Sequence, residues 1–275
     1  MDKIEKINNS VIQHGRDSDR IYLMKLADGD QEIVADKLDM IAAVNRYSKI
    51  FIKIPDSVRA FFQQRKYVVE AEVPFFFNGK EKGLFMAKYL NSARLKLPED
   101  KREEIAKNIR IAKSQQTQSI LEKPAGFRFR LLNKDDTSDL AEIYKIVFNS
   151  YLFSIHDPFY IAKSIDENIV YFGAYKGNKL VAASSAEMYT GAENVEMTDF
   201  ATLPDYRGNK LALALLDDME TEMENREMKT FYTIARAHSA GMNITFARKG
   251  YKFAGTLVNN TNIAGAIESM NVWYK

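Results

Sequence analysis

The chain contains no cysteine, which removes disulfides, thiolate metal ligands and a cysteinyl acyl-enzyme from consideration. Its three histidines, His14, His156 and His238, are scattered without metal-ligand spacing, so no metal is expected. Neither sign of charge dominates: 39 Lys and Arg stand against 37 Asp and Glu, a net charge of +2. No polyanion-binding surface follows from that balance, and nucleic acid is not an expected partner. No apolar run approaches the roughly 20 residues that span a bilayer, and no early stretch resembles a signal peptide. A cytoplasmic location without a membrane partner is the expectation. What the chain does have is 275 residues, 46% of them hydrophobic, enough to bury a core in one large or two modest domains.

The remainder is organised around residues 194–223. Residues 194–203 (NVEMTDFATL) read as a strand, broken by Pro204-Asp205-Tyr206. Arg207-Gly208-Asn209-Lys210-Leu211-Ala212 then runs into a helix with Leu211, Leu215, Met219 and Met223 in one stripe. A basic, glycine-containing turn thus opens a helix, where free backbone N–H groups and the positive end of the dipole suit a phosphate. Arg207 and Lys210 add full charges, so a pyrophosphate fits better than a monoanion. A plain strand-to-helix connection with solvated Arg and Lys is the alternative.

Before this stretch, residues 127–132 read as a strand, residues 139–148 as an amphipathic helix carrying Leu140, Ile143, Tyr144, Val147 and Phe148, and residues 161–164 as part of a shorter helix. Residues 169–175 and 180–189 form a hairpin around Gly177-Asn178. After it come a strand at 230–236, a helix at 239–248 stopped by Gly250, and strands at 251–257 and 267–275. In the first half, strands at 11–13 and 20–26 precede an acidic turn, Asp28-Gly29-Asp30, and a helix at 31–47. Residues 49–54 alternate as a strand, a short helix runs to Gln64, and residues 67–77 and 84–90 pair around Asn78-Gly79. Residues 49–90 therefore repeat the order of residues 230–275, and Phe62 to Tyr67 has the spacing of Phe246 to Tyr251. The expected division is a partial module at 1–90, a mostly helical connector at 91–125, and a complete domain at 126–275.

PDYRGNKLALALL resembles the acyl-CoA-binding motif of the GNAT N-acetyltransferases, Arg207 and Ala212 matching its ends and Lys210 standing at its middle glycine. The order of elements over 127–275 is also similar to that family. With both halves in view, the chain resembles the beta-lysine N6-acetyltransferases, through IQHG and DRIYLMKL, YSKIFIKIP, FMAKYL, GMNITFARKGY and the ending NNTNIAGAIESMNVWYK. The resemblance implies an α/β (α+β) fold, a mixed and mostly antiparallel GNAT sheet flanked by helices, with a degenerate half-GNAT module at the N-terminus. Asp28 and Asp30 stand where the module's phosphate loop would be and would repel pyrophosphate. The module is expected to pack on, or shape, the substrate pocket of the other half.

It further implies acetyl transfer from acetyl-CoA to the side-chain amine of beta-lysine, the product serving some lineages as a compatible solute. A polyamine, lysine or protein amine as acceptor is the alternative, and a non-catalytic acyl-CoA sensor lies further off. The cofactor would lie on the backbone of Phe200, Ala201, Thr202 and Leu203, on Arg207, Gly208, Asn209, Lys210, Leu211 and Ala212, and near Ser239. A lysine-type amine is protonated at pH 7, so a base is useful. Glu196, eleven residues before Arg207, is the first candidate. Asp199 is the second, although odd and even strand positions face opposite sides unless a bulge intervenes. The tyrosine that many relatives use to protonate the leaving thiolate is replaced by Phe246, leaving Tyr232, Tyr206 and His238 as substitutes. For the acceptor, Arg236 is expected to hold a carboxylate, Glu268 or Asp157 an ammonium, and Phe148, Tyr151 and Phe159 the aliphatic chain. A small-molecule amine is the expected partner, and a homodimer is one expectation for the assembly.

Overall fold

The computed structural model describes residues 2–115, 122–149, 151, 153–263 and 265–275. The strands are β1 Lys3–Ile7, β2 Ser10–Gly15, β3 Arg20–Lys25, β4 Lys49–Pro55, β5 Val68–Phe77, β6 Glu81–Tyr89, β7 Arg128–Leu132, β8 Ile169–Lys176, β9 Lys179–Tyr189, β10 Asn194–Thr202, β11 Thr230–Arg236, β12 Lys252–Ile263 and β13 Ala266–Tyr274. The α-helices are α1 Gln31–Asn45, α2 Arg59–Gln64, α3 Glu99–Ser114, α4 Thr137–Val147, α5 Pro158–Asp166, α6 Leu211–Asn225 and α7 Ala240–Arg248. Part of the expected connector, residues 116–121, lies outside the described residues.

All strands join one 13-stranded sheet in the order β1-β2-β3-β4-β6-β5-β12-β13-β11-β10-β9-β8-β7. The order is nearly a palindrome about the β5–β12 seam. On one side β3 runs parallel to β4, and β4 is followed by β6 and β5. On the other, β10 runs parallel to β11, and β11 is followed by β13 and β12. Helices α1 and α6 make the corresponding parallel crossovers, and α2 and α7 precede the corresponding hairpins. The likeness reaches side chains: Tyr67 N–H donates to Phe62 O and Tyr251 N–H to Phe246 O, both at 3.1 Å. The ring pairs sit edge to face at 5.3 and 5.1 Å. Strand β7 and helices α4 and α5 have no counterparts in the first half.

Each half has its own apolar core, and a third cluster spans the seam with Phe51, Phe76 and Phe85 from one half against Tyr232, Leu257 and Val272 from the other. Buried polar groups lock the same seam. Lys49 Nζ, wholly buried, donates to Glu70 Oε2 at 2.9 Å and to Val258 O at 2.8 Å. Arg94 Nε donates to Asn259 O at 2.7 Å and Nη2 to Ser18 O at 2.7 Å. At the seam's centre Gly255 faces Ala71, and a Cβ at Gly255 would lie 2.1 Å from Glu70 O. Only glycine lets these two backbones approach so closely.

The first half departs from its counterpart at the head of α1. Asp30 sits at the helix N-cap, and its carboxylate accepts from Ser10 Oγ at 2.8 Å and from Asn9 N–H at 3.2 Å. The acidic turn is thereby occupied with pinning β2 rather than with a ligand. Among the described residues no helix is long and apolar enough to cross a membrane.

Candidate active site

Strands β10 and β11 pair at Asn194↔Thr230, Val195↔Phe231 and Glu196↔Tyr232 and then part. The gap that opens beyond Glu196 exposes the free edge of β10, because its other edge is spent on β9 through Ala201↔Ala183 and Thr202↔Ala182. Leu203 N–H donates to Val181 O at 3.0 Å, so by alternation the main-chain groups of Phe200 and Thr202 face the gap. The register with β9 shifts between Thr198 and Ala201, and Asp199 there has φ +53°. This bulge turns Asp199 onto the face that Glu196 and Thr198 already occupy, so both candidate carboxylates line one cavity.

On one side of the gap lies a cleft of about 440 Å³ lined by Phe200, Thr202, Arg207, Gly208, Lys210, Leu211, Ala212 and Ser239. It is built on the head of α6, whose first hydrogen bond inside the helix is Ala214 N–H to Lys210 O at 3.1 Å. The N–H groups of Leu211, Ala212 and Leu213 are thus free of the helix ladder, as at any helix start. Lys210, at the motif's middle-glycine position, takes the left-handed conformation with φ 58° and ψ 22°. The backbone path that glycine normally supplies is therefore preserved, and an exposed ammonium is added to it. Helix α7 forms the opposite wall. Asn243 anchors it, donating to Arg236 O and Ser239 O and accepting from Trp273 Nε1 at 2.8 Å.

A narrow space lined by Phe148, Tyr151, Asp199, Phe200, Ser239, Met242 and Phe246 continues from the cleft through the gap. It leads to a cavity of about 280 Å³. The cavity's walls come from both halves: Tyr22 and Lys53 from β3 and β4, Glu187 from β9, Glu196, Thr198 and Asp199 from β10, and Tyr232 from β11. Glu187 and Glu196 are direct cross-strand partners.

Three carboxylates share one partly dry space, and burial raises all of them. Burial, then the neighbouring charges of Glu196 and Asp199, raise Glu187 to about 7. Glu196 is also raised, chiefly by burial, with Lys53 and a hydrogen bond from Tyr232 acting against the rise. Asp199 is raised by burial, offset in part by hydrogen bonds from Ser185 Oγ at 2.6 Å and from the Tyr151 hydroxyl. Burial would lower the Lys53 ammonium, but Tyr22, Glu196 and Glu187 outweigh it and the net shift is upward. Lys53 Nζ donates to Tyr232 Oη at 2.8 Å, and burial together with Glu196 holds that phenol well above its ordinary range. The cavity can thus accept a cation and can take up a proton near neutral pH.

Several expected residues fall elsewhere. Arg236 and Glu268 hold each other through two hydrogen bonds, of 2.8 and 2.6 Å, so neither offers a free charge to a ligand. Asp157 is exposed and caps α5 by accepting from Phe159 N–H at 2.9 Å. Phe159 itself is 86% exposed. His238 Nδ1 sits 2.9 Å from Glu104 at the surface. Asn209 turns its amide back to Tyr206 O at 3.0 Å. Phe148 and Tyr151 stack at 5.0 Å and flank the passage. Tyr232 lines the 280 Å³ cavity and not the narrow space beside Phe246. Sequence reasoning does not find Glu187 or Lys53. The signal for Lys53 is a lysine two residues from Phe51, on the same face of the strand and opposite Ile50, Ile52 and Ile54.

A parallel pair that splays at a bulge, with a basic helix start on one side and a carboxylate-lined cavity on the other, defines an acyl-CoA-dependent N-acyltransferase. A family model described as "Acetyltransferase (GNAT) family" matches residues 137–251. The beta-lysine N(6)-acetyltransferase of Methanococcus maripaludis is 37% identical over 100% of this chain and 99% of its own length. That of Methanosarcina mazei is 28% identical over 89% and 97%. N-acetyltransferase YodP of Bacillus subtilis is 32% identical over 54% of each. The chain belongs to the GNAT acetyltransferase family, and it is similar over its whole length to the beta-lysine N(6)-acetyltransferase of Methanococcus maripaludis.

Proposed function

We propose that this chain transfers the acetyl group of acetyl-CoA to the side-chain (N6) amine of beta-lysine, giving N6-acetyl-beta-lysine in the cytoplasm. The observation that carries the reading is the row of adjoining spaces from the basic head of α6, past the β10–β11 gap, to a cavity lined by Glu187, Glu196 and Asp199. Full-length likeness to enzymes of that name supports the acceptor. The division into a module at 1–90, a connector at 91–125 and a catalytic domain at 126–275 belongs to the same reading.

The diphosphate of acetyl-CoA lies against the free N–H groups at the start of α6, with Arg207 and Lys210 supplying charge. The pantetheine arm runs along the free edge of β10 at Phe200 and Thr202, which brings the thioester to the gap and makes positioning the main source of catalysis. The acceptor's terminal ammonium enters the carboxylate cluster and gives a proton to Glu196, whose carboxyl burial raises above the ordinary carboxylate range, as suits a general base. The neutral nitrogen then forms its bond to the acetyl carbon as the carbon–sulfur bond breaks, and the second proton that this nitrogen sheds passes to solvent. Asp199, held by Tyr151 and Ser185, keeps the amine oriented. Phe246 packs against Phe200 at 5.6 Å and gives the leaving sulfur no proton, so the thiolate leaves unassisted from that side.

The test is thiol release from acetyl-CoA with beta-lysine, alpha-lysine, spermidine and a lysine peptide in parallel, with mass spectrometry of the products. A preference for beta-lysine acetylated at N6 is expected, and preference for spermidine or the peptide refutes the acceptor. Glu196→Gln should lower kcat/KM by about 10²-fold or more and flatten the acid limb of the pH profile. An unchanged rate and profile removes Glu196 from the role of base.

A further inference from the structure

The acceptor cavity has a second pole that the chemistry above does not use. Arg20, on β3, lines it and is 3% exposed. Its guanidinium lies 5.2 Å from the Tyr22 ring and 5.6 Å from the Phe51 ring. Its Nη1 has no hydrogen-bond partner among the described residues. Asn260 lines the same cavity at 1% exposure, and its Oδ1 also lacks a partner. The segments that carry the two are tied together. Asn262, two residues on, is tied to the turn before Arg20, by Ser18 Oγ at 3.3 Å and by Asp17 O at 2.8 Å.

A buried guanidinium with an idle N–H is unfavourable unless something compensates it. Glu70 feels its charge but gives its oxygens to Lys49, Tyr89 and Val258 N–H. Asp2 acts on it only through space, and Arg94 repels it. Burial draws Arg20 down to about 10, so it stays charged at neutral pH. A carboxylate is the ligand that would satisfy it, and guanidinium geometry favours a carboxylate held at two points.

We propose that Arg20 binds the carboxylate of the acceptor, with Asn260 Oδ1 accepting from the ammonium next to that carboxylate. The inference rests on the proposed reaction having an amino-acid acceptor and assigns the residues that recognise it. The first half of the chain then acts as the specificity element of the second. An acceptor lies with its reacting amine at Glu187, Glu196 and Asp199 and its carboxylate at Arg20. A polyamine would set an ammonium against a buried cation and be rejected.

The experiment compares beta-lysine with 1,4-diaminopentane, the same carbon chain without the carboxylate, using wild type, Arg20→Gln and Arg20→Lys. Arg20→Gln should raise KM for beta-lysine by about 50-fold or more with kcat changed only a few-fold, and leave kcat/KM for the diamine unchanged or higher. Arg20→Lys should restore part of the loss and covers the case in which the glutamine variant fails to fold. Acetyl-CoA affinity and thermal midpoint report the fold independently. Equal losses on both substrates, or an unchanged KM for beta-lysine, overturn the role of Arg20 while leaving the reaction standing. Calorimetry separates the other failure: beta-lysine that binds wild type but not Arg20→Gln without being acetylated refutes the reaction and keeps the subsite. No binding to wild type refutes both.

Discussion

Replacing Glu187 by Gln should make the protein more stable at alkaline pH and leave its stability nearly unchanged in acid. In the folded chain burial and the charges of Glu196 and Asp199 raise the Glu187 carboxyl to about 7, against an ordinary 4.5. Between those two values the folded state keeps a proton that the unfolded chain has released. Stability therefore falls as pH rises through this window, and the loss is complete above about 7. A separation of about 2.5 pH units corresponds to about 3.5 kcal/mol at about 1.4 kcal/mol each. The side chain is half-buried, and water reaching it leaves about 2 kcal/mol as the working figure. Glutamine carries no charge, so Glu187→Gln should gain about 2 kcal/mol over wild type at pH 8 and close to nothing at pH 4.5. For a chain of this length that gain is about 4 °C in thermal midpoint. Urea unfolding followed by circular dichroism at both pH values is the assay, with acetyl-CoA absent. A gain that is the same at both pH values, or a loss at pH 8, would refute the assignment of a raised, charge-crowded carboxyl to β9.

Lys53→Met removes the cation that opposes the rise of Glu187 and Glu196. The carboxyls then hold their protons to higher pH, so the acid limb of kcat/KM should move up by about one pH unit, read from a profile between pH 6 and 9. Lys210→Gly relieves a side chain held at φ 58°, a gain of up to about 1 kcal/mol in unfolding, yet it should weaken acetyl-CoA several-fold by loss of charge. Tighter cofactor binding by the glycine variant, measured by calorimetry, would show that the Lys210 side chain obstructs the diphosphate more than its charge attracts it. Gly255→Ala places a methyl group 2.1 Å from Glu70 O at the β5–β12 seam. It should cost about 3 kcal/mol in denaturant unfolding and lower activity on any acceptor, because both halves wall the cavity. Wild-type stability in that variant would mean that the two backbones are not in close contact.

The near-palindromic sheet has a consequence for how the site is divided between the halves. The second half contains the splay, the bulge, the basic helix start and the carboxylates of β9 and β10. The first half keeps the parallel crossover from β3 to β4 but replaces the basic turn with Asp28 and Asp30, the latter serving as a clamp on β2. Its β3 and β4 instead turn Tyr22 and Lys53 toward the other half's cavity. The two halves thus share a strand order, and the basic turn stands in the second half alone.

Much of the architecture was determined by local pattern. Alternation marked the strands, the Leu211, Leu215, Met219 and Met223 stripe marked α6, and Asn78-Gly79, both with positive φ, marked the β5–β6 turn. The basic turn was readable because anion binding at a helix start depends on residues adjacent in the chain. Strand β1 was not read, since KIEKI is short and largely exposed and its pairing with β2 adds little local signal. Tertiary structure alone decided the acceptor cavity. No local rule brings Lys53 to Tyr232, places Glu187 opposite Glu196, or matches Arg236 with Glu268 across 32 positions. The bulge at Asp199 lifts the restriction that strand alternation sets, by putting Glu196 and Asp199 on one face. Charges can be counted along a sequence, but which of them meet, and in how much water, depends on long-range pairing across the sheet, and that sets their chemistry.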